Sequence, residues 1–142
     1  MPTRRASAQW EGGLKAGRGT VSTESGSVAG QPYNFSGRFE SGTGTNPEEL
    51  VAAAHAACFA MAFSGQLEAN GFSDTRVTAE AHVSVEKVGE GFTVTKSHLE
   101  VSARVPGADE AKFQEIAEGA KAGCPISRLL NAEISMNAKL EG

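Results

Sequence analysis

Cysteine is scarce in this chain: Cys58 and Cys124 are the only two among 142 residues. Two cysteines cannot staple a small secreted scaffold, so the disulfide-framework class is excluded. Positive charge is also in short supply. Lys and Arg number 13 against 17 Asp and Glu, a formal net charge of −4, which leaves no basic face for nucleic acid. The segment Met1–Glu11 carries Arg4 and Arg5 but no apolar stretch, so no secretory signal is expected. The longest apolar run, within residues 50–63, is diluted with alanine and reads as too short to span a bilayer. There are no internal repeats and no low-complexity tract. The glycine-rich loop Ser41–Thr45 is not followed by Gly-Lys-Ser/Thr, so it is not a phosphate-binding loop. These absences leave a soluble, cytoplasmic protein in which thiols stay reduced unless they are catalytic or redox-sensing. Its length suits one domain, residues 1–142, with a real core.

The residues that are present read as α+β. Residues 8–40 look like antiparallel strands, beginning at Trp10 and turning at Gly12-Gly13. Gly19–Thr23 is a β-branched strand, and Tyr33–Glu40 alternates as a strand, with Gly37 marking a bulge beside Arg38. Asn46 then reads as an N-cap, with Pro47 at the first helical position and Glu48 and Glu49 in the first turn. The helix should run to about Asn70 and close at Gly71. Its alanine-rich interior would let a second helix, or its own symmetry mate, pack closely. Residues 73–105 form a long hairpin turning at Gly89–Gly91, with a change of phase near Lys96 that indicates a bulge. Asp109 caps a further helix, Pro125 starts a short one with Cys124 at its N-cap, and Ile134–Ala138 is a last strand.

Cys58 is where chemistry would concentrate. In an apolar helix a lone cysteine is ordinarily a small buried hydrophobe. However, His55 lies one turn earlier on the same face, and Cys124 stands at a helix start, a setting that suits a disulfide-exchanging thiol. The two cysteines therefore read as a redox pair worth weighing, though spacing alone does not bring them together. A metal site built from His55, Cys58 and Cys124 is the chemical competitor, with His82 and His98 on the hairpin and no compact ligand motif. Glu48 and Glu49 can be plain first-turn acids. Arg38 can be an exposed strand arginine, with Arg18 as an alternative cation.

Several segments, in order and across nearly the whole chain, resemble the OsmC family (osmotically inducible protein C). They are Trp10-Glu11-Gly12, Gly19–Gly26, Arg38-Phe39-Glu40, Gly44–Leu50, Ala53–Phe59 and Ala122-Gly123-Cys124-Pro125. The Arg-Phe-Glu segment aligns it with the OsmC branch rather than the organic-hydroperoxide-resistance branch, in which an arginine near the position of Arg18 is used. The resemblance implies antiparallel sheets wrapped around a long central helix, and an intertwined homodimer with active sites at the subunit interface. It also implies a cysteine-based peroxidase that reduces organic hydroperoxides, and hydrogen peroxide less well, without a cofactor or metal. By the same resemblance Cys58 is the peroxidatic cysteine, Cys124 the resolving cysteine, Arg38 the activating cation and Glu48 its partner. The reductant would be a dithiol, with a lipoyl group as the example from the related branch.

If Glu48 and Cys58 serve one centre, helix geometry constrains how. Ten residues on one straight helix correspond to about 15 Å of rise, so Glu48 would come from the partner subunit. Two other readings stand beside the enzyme: a non-catalytic redox sensor or binding protein using the same cysteine pair, and a structural domain with two inert cysteines.

Overall fold

The computed structural model describes residues 2–40 and 44–141. Ser41–Thr43 of the expected loop lie outside the described residues. The chain divides into two compact units, residues 1–50 and 51–142.

The first unit is a three-stranded antiparallel sheet, β1 (Ala6–Glu11), β2 (Arg18–Thr23) and β3 (Gln31–Tyr33), in that spatial order. Gly19 sits at its centre, opposite Trp10 on one side and Tyr33 on the other. The two rings meet over it, with centroids 5.4 Å apart. A Cβ at position 19 would come within 2.6 Å of the indole and 2.8 Å of the Tyr33 ring, so only glycine allows the two rings to close in.

Residues 33–40 depart from the expected strand. β3 ends at Tyr33, and Phe35–Phe39 is a short helix, α1. Asn34 is its N-cap, its side chain accepting from the Gly37 amide at 2.7 Å. Gly37 is thus inside a helical turn rather than at a bulge. Phe35 and Phe39 are four residues apart, a spacing that satisfies both strand alternation and one helical turn. Their rings touch at 5.1 Å, and the cap decides between the two conformations.

Asn46 caps the next helix, α2 (Pro47–Ala69), accepting from the Glu49 amide at 2.7 Å. The helix closes at Gly71, whose φ is +91°, with Phe72 N–H bonding back to the Leu67 carbonyl at 2.9 Å. At 23 residues, α2 is long and apolar enough, by length and composition, to cross a membrane. The core helix of a folded domain can have the same length and apolarity, and Phe59, Phe63 and Leu67 of this one are fully buried.

In the second unit, Phe59, Phe63 and Leu67 of α2 are fully buried. They join one cluster with Leu99, Val101 and Ala103 of β5 (Gly91–Arg104) and Phe113, Ile116, Ala117 and Ala120 of α3 (Glu110–Gly123). Phe63 is the hub, with ring centroids 5.5 Å from Phe59 and 5.6 Å from Phe113. β4 (Arg76–Val88) and β5 form the expected hairpin. Ser84 pairs with Lys96 but Val85 with Val94, so Thr95 is the extra residue of the bulge indicated near Lys96. α3, α4 (Pro125–Leu129) and their connections carry the chain back to β6 (Glu133–Leu140), which lies parallel to β5. The family-type α+β architecture is therefore present, but this sheet is mixed rather than purely antiparallel. A parallel neighbour requires such a crossover, and α3 and α4 provide it.

Candidate active site

The four expected site residues form two pairs, one in each unit. In the second unit α2 carries Cys58 directly before the buried Phe59. Cys124 is the residue between α3 and α4: it ends the first as C-cap and begins the second as N-cap, with Pro125 at the first helical position. The two sulfur atoms lie 2.9 Å apart, as free thiols sharing a hydrogen bond. The structure thus joins cysteines that spacing alone could not.

Their surroundings differ. Cys58 is partly exposed and Cys124 fully buried. Burial pushes the Cys58 thiol up, and hydrogen bonding and charge from Cys124 push it further, offset only in part by the Ile126 amide. Burial also acts to raise Cys124. There, however, the hydrogen bond with Cys58, the Ser127 amide and hydroxyl and the Ile126 amide together outweigh it, and the thiol is held below its usual value. Within this unit Cys124 is thus the more acidic thiol of the pair, and none of the influences acting on Cys58 is a cation.

The second pair lies in the first unit. Arg38, in α1, grips Glu48, in the first turn of α2, through a fork: Nε donates to Oε1 at 3.1 Å and to Oε2 at 3.3 Å, and Nη2 donates to Oε2 at 3.1 Å. Glu48 is 7% exposed, so its charge needs this partner. Asn46 ties the two helices together, donating from its side-chain amide to the Gly37 carbonyl at 3.1 Å. The Arg38 guanidinium lies over the Phe39 ring, 4.8 Å from its centroid. Beside it opens a cavity of about 250 Å³ lined by Trp10, Leu14, Tyr33, Phe35, Arg38 and Phe39, along with Asn34. Arg18 sits elsewhere, exposed on β2 opposite Glu11.

The chain matches the family model described as OsmC-like protein over residues 40–139. It belongs to the OsmC family. This OsmC-family chain is 51% identical to "Peroxiredoxin OsmC" of Escherichia coli strain K12 over 138 residues, covering 97% of this chain and 96% of that protein. It is 33% identical to the "Organic hydroperoxide resistance protein" of Xanthomonas axonopodis pv. citri over 104 residues, 70% of this chain and 68% of that one. Among solved structures, an OsmC-like protein from Mycoplasma pneumoniae superposes with a TM-score of 0.75 at 14% identity, covering 99% of each chain. The organic hydroperoxide resistance protein OhrB of Bacillus subtilis superposes with a TM-score of 0.63 at 22% identity, covering 96% of this chain and 98% of that one. These two likenesses show the fold.

Sequence reasoning missed part of the site. Trp10, Leu14 and Tyr33 line the cavity beside Arg38, and only their distribution over two strands and a turn brings them there. Of the large apolar residues that follow Cys58 in the helix, Phe59 and Phe63 are core and Met61 is 81% exposed. Ser97 and Ser127 carried no signal at all, yet both bind His55 at 2.7 Å. With both ring nitrogens engaged by hydroxyls, His55 in this geometry does not offer a metal ligand, which removes the competing His-Cys-Cys site.

Proposed function

We propose that this protein is a thiol-dependent peroxidase that reduces organic hydroperoxides. The observation that carries the proposal is the 2.9 Å approach of Cys58 to Cys124 in a chain of the OsmC family. The unequal burial of the two thiols supports their order. Cys58, partly exposed, meets the peroxide first, and Cys124, fully buried, reaches only Cys58.

In the first step the Cys58 thiolate attacks the terminal oxygen of the hydroperoxide. The O–O bond breaks, an S–O bond forms, and the departing alkoxide takes a proton to leave as alcohol. In the second, Cys124 attacks the sulfenic sulfur. The S–S bond forms, the S–O bond breaks, and the hydroxide is protonated to water. An external dithiol, of which a dihydrolipoyl group is one example, then restores both thiols by exchange.

The first step needs a cation, because burial and Cys124 both disfavour the Cys58 thiolate. Arg38 is the group we assign to this task, held and oriented by Glu48. The aromatic cavity beside it supplies an apolar wall suited to an alkyl or aryl group. Ten residues of unbroken helix separate Glu48 from Cys58, about 15 Å of rise. The Arg38–Glu48 pair acting at Cys58 therefore belongs to a second copy of the chain, and the working unit is a homodimer. The exposed small residues Ala53, Ala54 and Ala57 on α2 suit close packing of two such helices. We place the protein in the cytoplasm, where the pair is returned to the reduced state.

The test is a steady-state peroxidase assay with cumene hydroperoxide and hydrogen peroxide, with dihydrolipoamide, thioredoxin and glutathione as competing reductants. Free thiols are counted in parallel. Catalytic consumption of cumene hydroperoxide, abolished in Cys58→Ser, is the expected result. Loss of both thiols without turnover would make the protein a sensor, and persistence of both would make them inert core.

A further inference from the structure

The turn that joins β1 to β2, residues 12–17, is tied at several points. The Trp10 indole nitrogen donates to the carbonyls of both Gly12, at 3.1 Å, and Gly13, at 3.3 Å. The Gly17 amide donates to the Gly13 carbonyl at 2.8 Å, which closes a single helical turn. Gly17 is wound so tightly there that a Cβ would lie 2.6 Å from the Glu11 carbonyl oxygen and 2.8 Å from the indole nitrogen. The same turn also reaches α1, where the Lys15 ammonium lies 5.7 Å from the centroid of the Phe35 ring. It is therefore a strap, fastened to β1 through Trp10 and to α1 through Phe35.

Leu14 stands between those two fastenings. It is 65% exposed and takes no part in the buried core, so the fold itself does not call for an apolar side chain there. What Leu14 does line is the cavity of about 250 Å³. The other apolar walls of that cavity are rings packed in pairs: Trp10 with Tyr33 from the sheet, at 5.4 Å, and Phe35 with Phe39 from α1, at 5.1 Å. Each ring is braced by its neighbour, whereas Leu14 is the aliphatic wall and is carried by the strap. An apolar cavity of about 150 Å³ accepts benzene. The space here suits one ring with short branches, or an alkyl group of similar bulk.

We propose that Leu14, held in place by this strap, is a specificity-determining residue: it sets the size of the hydrocarbon group that the cavity takes, and so favours hydroperoxides bearing a single ring over smaller ones. The inference rests on the peroxidase reading for the identity of the guest. One methylene more or less in an apolar pocket changes discrimination by about 10- to 200-fold. Leu14 is largely exposed, so removing its side chain belongs at the low end of that range. The contact is made by the hydrocarbon part of the substrate, away from the breaking O–O bond. It strengthens ground state and transition state alike, and its loss should appear in KM more than in kcat.

The experiment compares kcat/KM for cumene hydroperoxide and tert-butyl hydroperoxide on the full-length protein. In Leu14→Ala the ratio of cumene to tert-butyl should fall about tenfold, mainly through KM for cumene hydroperoxide. Leu14→Met, of similar volume, should keep the wild-type ratio. Gly17→Ala leaves every lining side chain in place but forces the strap to shift, so it should lower the ratio as Leu14→Ala does. A Leu14→Ala protein with the wild-type ratio would overturn the assignment, and a folded Gly17→Ala protein with that ratio would overturn the role of the strap. Trp10 is the chain's single tryptophan and lines the cavity, so its fluorescence gives a readout that needs no turnover. Titration with cumyl alcohol should give a saturable change, with Kd about tenfold weaker in Leu14→Ala. No saturable change, or the same Kd in both proteins, would also overturn the proposal. If wild type consumes no peroxide, the peroxidase reading fails by itself, and this titration still decides whether Leu14 shapes a binding cavity.

Discussion

A mixed dimer decides where Glu48 acts. One chain carries Glu48→Ala with Cys58 intact, and the other carries Cys58→Ser with Glu48 intact. The two chains bear different affinity tags and are co-expressed, so that two-step purification yields only the mixed species. Glu48 holds Arg38 through three hydrogen bonds of 3.1–3.3 Å. The arginine side chain is 39% exposed, so water replaces part of that grip when the carboxylate is removed. A loss of about 1.4–2.8 kcal/mol of transition-state stabilisation is reasonable for one partly solvated charge-assisted contact, or about 10- to 100-fold in rate for the Glu48→Ala homodimer. The Cys58→Ser homodimer should be inactive. If the carboxylate acts across the interface, the mixed dimer has one site with every intact group and one with none, and it turns over at about half the wild-type rate per dimer. If Glu48 serves its own chain, the single cysteine-bearing site lacks its carboxylate, and activity falls to about half that of the Glu48→Ala homodimer. The two outcomes differ about tenfold or more, well within a coupled assay. A mixed dimer that is intact by gel filtration yet no more active than half the Glu48→Ala homodimer would refute the assignment in trans.

Other consequences follow from individual groups. Phe63 is fully buried between the Phe59 and Phe113 rings, so Phe63→Ala should cost about 3–5 kcal/mol in chemical denaturation. Gly19→Ala places a methyl group against both Trp10 and Tyr33, so it should quench or shift Trp10 fluorescence and destabilise the first sheet by about 1–3 kcal/mol. Cys124→Ser removes a hydrogen bond and a charge that raise the Cys58 thiol, so Cys58 should titrate at lower pH than in wild type, as read by alkylation rate against pH. Burial holds the His55 pKa below its usual 6.5. The unfolded chain therefore binds that proton first, and stability is intact above about pH 6.5 and declines as pH falls toward the folded pKa. Denaturation midpoints from pH 7.5 down to 5 should show this loss, and His55→Gln should lack that component.

Much of the fold was legible because its signals are local and redundant. Asn46-Pro47-Glu48-Glu49 announces a helix through cap, ring and charge together, and Gly71 ends it through a conformation that other residues resist. The β4–β5 hairpin declares itself by alternation, and its bulge by a break in that alternation. The stretch from Tyr33 to Phe39 was misread because a four-residue aromatic spacing fits a strand and a helix equally well. The deciding contact, Asn34 to the Gly37 amide, is a single hydrogen bond. The pairing of Cys58 with Cys124 lay beyond local reading for a different reason: it depends on where α3 ends relative to α2, a property of the packed core around Phe63 and Phe113. Ser97 and Ser127 are common residues with no pattern of their own, and only a buried imidazole with two nitrogens to satisfy gives them meaning.

The contrast between the two thiols bears on how the reaction is controlled. Left to the residues of its own unit, the pair pushes the partly exposed Cys58 thiol up and holds the buried Cys124 thiol down. Such a pair is poor at attacking peroxide but well prepared to resolve a sulfenic acid once one forms. A guanidinium brought to Cys58 reverses the first disadvantage without removing the second advantage, since the Ser127 hydroxyl and the amides of Ser127 and Ile126 remain at Cys124. On this reasoning assembly is the switch that arms Cys58. Dilution below the dimer dissociation constant should then suppress sulfenic acid formation far more than disulfide formation by exchange with a small disulfide. Equal suppression of both would show that Cys58 does not depend on a cation from a second chain.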